Sequence, residues 1–189
     1  MLKYFYSRVL QVAEKKSANY FLAFFSFIES SVSPIPPDVL MIPMILAKPH
    51  NAFKIATIAT GFSVLGGLFG YIIGYYLWVE IGEVVLNSYN LTDKFQVMKQ
   101  EYKEIGIYAV LVASITPFPY KVITIFSGFV AMNLGSFIII SIAGRGLRFF
   151  LIAGILYYLG EKAKYFIEKY LNLLFLLFCS FLILGFYII

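Results

Sequence analysis

The chain has 189 residues, of which 61% are hydrophobic and only 13% charged, with a net charge of +5 and a mean hydropathy of +0.85. Soluble domains carry roughly 45–50% apolar and about 25% charged residues, so water is not the main solvent of this chain. One cysteine, Cys179, and one histidine, His50, exclude an internal disulfide framework, a thiolate metal cluster and most histidine-based hydrolytic chemistry; no cofactor and no metal are expected.

In chain order, Met1 to Lys16 is basic, carrying Lys3, Arg8, Lys15 and Lys16. The apolar run after it has no small-residue cleavage site, so the segment is expected to be retained. A helix crossing the ~30 Å hydrocarbon core needs about 20 residues. Ala52 to Val79, Ser136 to Leu159 and Leu171 to Ile189 reach that length. Tyr20 to Ser33 does not, because Pro34, Pro36 and Pro37 remove N–H donors and clash with a continuing helix. Val39 to Ala47 is shorter still. The pattern predicts a hairpin that enters the membrane, turns at the prolines and leaves on the side it entered. Ile105 to Thr116, the turn Pro117-Phe118-Pro119 and Val122 to Met132 repeat it.

The recurrence is an internal repeat. Pro34-Ile35-Pro36 and Pro117-Phe118-Pro119 stand 83 positions apart (117 − 34), which places Asp38 on Lys121 and Gly61 on Gly144. Tyr75-Tyr76-Leu77 falls on Tyr157-Tyr158-Leu159 with a drift of one residue. The segments 1–16, Lys48 to Lys54 and 161–169 are net positive, whereas the connector from Glu80 to Glu104 is net negative. By the positive-inside rule the N-terminus is cytoplasmic and the two halves are oppositely oriented. The expected fold is thus an all-α integral membrane protein of inverted topology, with two re-entrant helical hairpins broken at Pro-x-Pro turns plus transmembrane helices. A single membrane domain, 1–189, is expected, divided into a basic N-terminal segment (1–19), a first half-repeat (20–85), a second (105–165) and a C-terminal transmembrane helix (171–189).

Five ionisable residues lie within or beside the apolar segments: Glu29, Asp38, Lys121, Arg145 and Arg148. Charges at membrane depth cost several kcal/mol or more, so each is a functional candidate with a partner to be found. Asp38 opens an apolar helix, where its carboxylate can cap first-turn N–H groups. Opposite it in the repeat, Lys121 can form a breakable gate pair with it or a static one. Glu29 lies five residues before Pro34, in surroundings whose low dielectric favours a neutral acid. It therefore suits proton handling, or else a permanent pair with Arg145 or Arg148. Those two arginines are three residues apart on one helical face. They offer guanidinium forks to phosphate, or snorkel to an interface. Half-helix N-termini at the turns add partial positive charge. The run Gly61, Gly66, Gly67, Gly70 and Gly74 has small-xxx-small spacing and reads as close helix packing. The basic pI of 9.2 reflects inner loops and buried cations; no nucleic-acid partner is expected.

Glu29-Ser-Ser-Val-Ser-Pro34-Ile-Pro36-Pro37-Asp38, followed by Leu40-Met-Ile-Pro43, resembles the first signature of the DedA family, also called the VTT or SNARE-associated membrane family, and its YqaA-like branch above all. Thr116-Pro117-Phe118-Pro119-Tyr120-Lys121, running on to Ser127-Gly128, resembles the second signature, and Gly144-Arg145-Gly-Leu-Arg148-Phe149 the arginine segment after it. The likeness covers about residues 20 to 160. It implies two opposed re-entrant hairpins, Glu29 and Asp38 as proton-handling acids, and a flippase or scramblase moving undecaprenyl phosphate or phospholipid. Ser114 stands near where many members carry an arginine, and Lys121 near the second. Lysine lacks the bidentate fork, which weakens any inference of polyprenyl-phosphate specificity.

The expected function is a multi-pass lipid transporter of the cell inner membrane, coupled to protons and not an enzyme. Lys121, Arg145 and Arg148 would bind an anionic lipid or phosphate-bearing substrate among the membrane lipids. Self-association is compatible with it. A proton-coupled solute, drug or cation antiporter and a non-transporting assembly protein are the alternatives.

Overall fold

The computed structural model describes residues 17–31, 36–82, 92–116 and 120–188. Of the five turn prolines expected from sequence, Pro36 and Pro37 fall within these residues; Pro34, Pro117 and Pro119 lie outside them. The described residues are helical apart from short connections. Helix α1 is Ala18–Ser31, α2 is Asp38–Ala47 and α3 is Ala52–Leu77; α4 is Thr92–Ile115, α5 is Tyr120–Phe129 and α6 is Leu134–Ile188. Among the described residues, two stretches are long and apolar enough to cross a membrane, Pro49–Leu77 and Leu134–Gly160. Along the second, Ile139, Ile142, Leu147, Leu151 and Ile155 are exposed, a row of side chains that lipid rather than water accommodates.

The repeat is visible as architecture. The short helices α2 and α5 are 10 residues each and start 82 positions apart (120 − 38). The long helices α3 and α6 start at the same offset (134 − 52). Both long helices lose regular geometry at matching places: α3 gives way to a π-helical turn, Trp78–Gly82, and α6 breaks at Gly160, whose φ of 45° is left-handed. The chain continues helical beyond that break to Ile188.

Connections between short and long helices are built locally in different ways. In the first half, Pro49–Asn51 forms a single 3₁₀ turn. In the second, α5 ends in a Schellman closure. The Met132 N–H donates to the Ser127 carbonyl, the Ala131 N–H to that of Gly128, each at 2.9 Å, and Ala131 takes the left-handed conformation at φ 53°. Asn133 then caps α6, its Oδ1 accepting the Ser136 N–H at 2.9 Å.

Helix α3 is the axis of the bundle, packed against α1, α5 and α6. The short helices cross over: α2 packs chiefly on α6 of the other half, and α5 on α3. Glycines make this approach feasible, as the sequence pattern predicted. A Cβ on Gly74 would lie 1.8 Å from the Ile125 carbonyl oxygen, one on Gly128 1.9 Å from that of Tyr71, and one on Gly66 2.1 Å from that of Phe27. Gly61, the first of the run, has nothing within 4 Å and takes no part. One apolar cluster gathers Leu22, Met41, Ile45, Ala56 and Phe149, a second Tyr71, Val110, Tyr120 and Phe137, and a third Phe95, Tyr102 and Val130 beside Trp78.

Candidate functional site

Among the described residues, two acid–arginine pairs join α6 to α1 and α2. An Arg145 terminal nitrogen lies 3.2 Å from Glu29 Oε2 and 3.4 Å from Oε1, so α6 reaches α1. The Arg145 side chain is 2% exposed and that of Glu29 14%. One turn further along α6, Arg148 pairs with Asp38 at the start of α2. Its other terminal nitrogen donates to the Thr116 carbonyl at 2.8 Å. Asp38 follows the first proline motif and Thr116 precedes the second, so one guanidinium ties the start of α2 to the residue after α4. Lysine, a single point of charge, cannot hold both contacts in that fork geometry.

Two local expectations change. Asp38 does not cap its helix: the N–H groups of Val39, Leu40 and Met41 donate to the carbonyls of Pro36 and Pro37, which leaves the carboxylate to Arg148. The gate partner expected at Lys121 is likewise Arg148. Lys121 sits half-buried in the first turn of α5, where its carbonyl accepts the Thr124 hydroxyl at 2.9 Å. For the arginines, the interface-snorkelling alternative gives way to inward pairing, because both point into the bundle toward acids.

Hydroxyl groups complete the centre. Ser30 donates to Glu29 Oε2 at 3.0 Å and lies 2.7 Å from the Ser63 hydroxyl on α3. A serine has one hydroxyl hydrogen; with that of Ser30 committed to the carboxylate, the Ser63 hydroxyl is the donor between them. Tyr120, wholly buried, lies under the Arg145 guanidinium at 4.1 Å, and Phe149 lies 5.8 Å from it. The Tyr120 phenol donates to Ser141 Oγ at 2.5 Å. Ser114 is fully buried, its hydroxyl donating to the Val110 carbonyl. Its Cβ lies 2.4 Å from where a Gly144 Cβ would stand, so this helix crossing is closed around a small side chain. Among the described residues, three buried polar atoms keep no protein partner: Arg145 Nε, Asp38 Oδ1 and Ser26 Oγ. Among the described residues no cluster of metal-ligating side chains forms.

Tyr120, Ser30 and Ser63 did not stand out in the sequence. Tyr120 had a signal, its place beside Lys121 in the second motif; the serines had only their polarity within apolar helices. Chemically, the centre is two neutralised charge pairs in a low-dielectric bundle, with donors left on the guanidinium and an acceptor left on one acid. Such a centre can take up a proton and an anion together without accumulating net charge.

A family model described as the VTT domain matches residues 35–158, a range that includes Asp38, Lys121, Arg145 and Arg148. An uncharacterised protein of Haemophilus influenzae is 35% identical over 159 residues, covering 83% of this chain and 81% of that protein. A Histophilus somni protein described as "Uncharacterized protein HI0703 homolog" is 36% identical over 157 residues, covering 83% and 82%. No solved structure matches.

Proposed function

The chain belongs to the VTT-domain or DedA family, and from that premise we propose that it is a multi-pass transporter of the cell inner membrane that moves an anionic lipid together with protons. The observation that carries this reading is the crosswise pairing of Glu29 with Arg145 and Asp38 with Arg148. Isolated charges in a bilayer interior are too costly to maintain, whereas pairs can be opened if something replaces the lost partner. A proton on Glu29 or Asp38 replaces the arginine for the acid; a phosphate-type oxyanion replaces the acid for the arginine, in the fork geometry guanidinium favours. Loading one proton and one negative charge together leaves each pair electrically as it began. Lys121, near the second turn, adds positive charge for a headgroup bearing more than one. Undecaprenyl phosphate and phospholipids both present this chemistry. Chemical catalysis is not proposed, because His50, exposed in the connector between α2 and α3, has no base or nucleophile role in the paired centre.

One observation favours a second reading, proton-coupled exchange of a small cationic solute. Two carboxylates, Glu29 and Asp38, face the same centre, where a cation can take the place of a guanidinium on either acid. The test is fluorescent-lipid movement in proteoliposomes, comparing wild type with folded Glu29→Gln and Arg145→Ala proteins, with and without a proton gradient. Wild-type lipid movement lost in both variants is the expected result. A folded wild type that moves no lipid overturns the proposal and leaves solute exchange or an assembly role to be tested.

A further inference from the structure

We infer that Tyr120 is the positioning residue that keeps Arg145 in place while its counter-ion is exchanged, an inference that rests on the anion-carrying reading above. The phenol ring is fixed from three sides. Its face lies 4.1 Å from the Arg145 guanidinium carbon. Its hydroxyl donates to Ser141, one turn before Arg145 on the same helix. Its edge fills the space that Gly67 leaves on α3, where a Cβ would lie 3.0 Å from Cε1 and 3.1 Å from the phenol oxygen.

A guanidinium that loses its carboxylate in a low-dielectric interior follows any other acceptor within reach. The ring face opposes that drift. Its attraction for the cation comes from the π-quadrupole, so it neither takes up a proton nor competes with an anion for N–H donors. Phe149 adds a more distant apolar contact at 5.8 Å. Meanwhile Arg145 Nε, buried and without a protein partner, offers an N–H that can take the first oxygen of an oxyanion before Glu29 lets go. The site class is therefore a single phosphate-type oxyanion held against an arginine–tyrosine stack, whether the phosphate is carried by a lipid or free.

The chain has three arginines, Arg8, Arg145 and Arg148, which makes Arg145 directly observable. The full chain is prepared in nanodiscs with isotope-labelled arginine, its resonances assigned through Arg145→Lys and Arg148→Lys, and binding of dodecyl phosphate and of inorganic phosphate is measured on the same samples. Ring-current shielding should move the Arg145 side-chain protons upfield in wild type and Tyr120→Phe but not in Tyr120→Leu. Dodecyl phosphate affinity should fall about tenfold in Tyr120→Leu, within the range of a desolvated cation–π contact, and stay within about twofold in Tyr120→Phe, which keeps the ring. Preference for dodecyl over inorganic phosphate assigns the site to lipid; equal affinity assigns it to free phosphate, and either supports the positioning role if Tyr120→Leu weakens it. If Tyr120→Leu does not fold, Gly67→Ala pushes the ring from its seat and must shift the Arg145 resonance. A folded Tyr120→Leu protein with wild-type resonance and affinity overturns the inference. If wild type binds neither phosphate, the anion-carrying reading falls, and the resonance alone decides: shielding lost in Tyr120→Leu retains Tyr120 as the support of the Glu29–Arg145 pair, and unchanged shielding removes it.

Discussion

Replacing Arg145 with methionine should be among the costliest single changes in this bundle. The guanidinium is 2% exposed, and its removal leaves Glu29, 14% exposed, with the Ser30 hydroxyl at 3.0 Å in place of a full counter-charge. Stranding one member of a buried ion pair costs about 3–5 kcal/mol. Glu29→Gln should cost less, about 1–3 kcal/mol, because the orphaned guanidinium keeps the Tyr120 ring at 4.1 Å and glutamine still offers it an oxygen. The double variant Glu29→Gln/Arg145→Met removes both charges, so its loss should fall short of the sum of the single losses by about 2 kcal/mol, the coupling characteristic of residues in direct contact. The assay is reversible unfolding in mixed micelles, followed by circular dichroism at several detergent ratios. Strictly additive losses would refute the reasoning, because they would mean that the pair contributes nothing as a pair.

Helix packing gives a sharper contrast. Gly74→Ala and Gly128→Ala place methyl groups 1.8 Å and 1.9 Å from carbonyl oxygens and should lower the unfolding midpoint markedly. Gly61→Ala, with open space around it, should raise stability by up to about 1 kcal/mol through helix propensity. Ala131→Gly relieves a left-handed alanine and should stabilise by about 1 kcal/mol, read in the same unfolding assay. Arg148→Lys cannot keep both Asp38 and the Thr116 carbonyl; it should leave the protein folded but lower lipid movement about tenfold or more, as expected when a fork is replaced by a single charge. Transport of a singly charged headgroup analogue should be electroneutral, measured as flux that a clamped membrane potential does not alter. A current proportional to flux would refute paired proton and anion loading.

The sequence by itself determined much of the element plan, although α4 begins at Thr92, inside the stretch expected to be a connector. Proline spacing stops two apolar runs short of spanning length, and apolar length marks Ala52 to Val79 and Ser136 to Leu159 as spans, against helical stretches of Pro49–Leu77 and Leu134–Gly160 that are long and apolar enough to cross a membrane. The 83-residue echo of Pro-x-Pro reappears as helices of equal length at an offset of 82. These features were legible because backbone donors, ring clashes and hydrocarbon thickness act on the chain locally and repeat with it. The list of ionisable residues was legible for a related reason: charge is conspicuous in a sequence this apolar. Partner choice was not. Repeat symmetry pointed Asp38 at Lys121, whereas the fold gives it Arg148, because α2 crosses onto α6 and the carbonyls of Pro36 and Pro37 have already taken the N–H groups the carboxylate would have capped. Nor could spacing reveal that Tyr120 supports Arg145, since the two are brought together by Gly67 admitting a ring and Ser141 holding its hydroxyl. Which charge meets which depends on helices packing side by side, and a linear pattern carries no information about distance across a bundle.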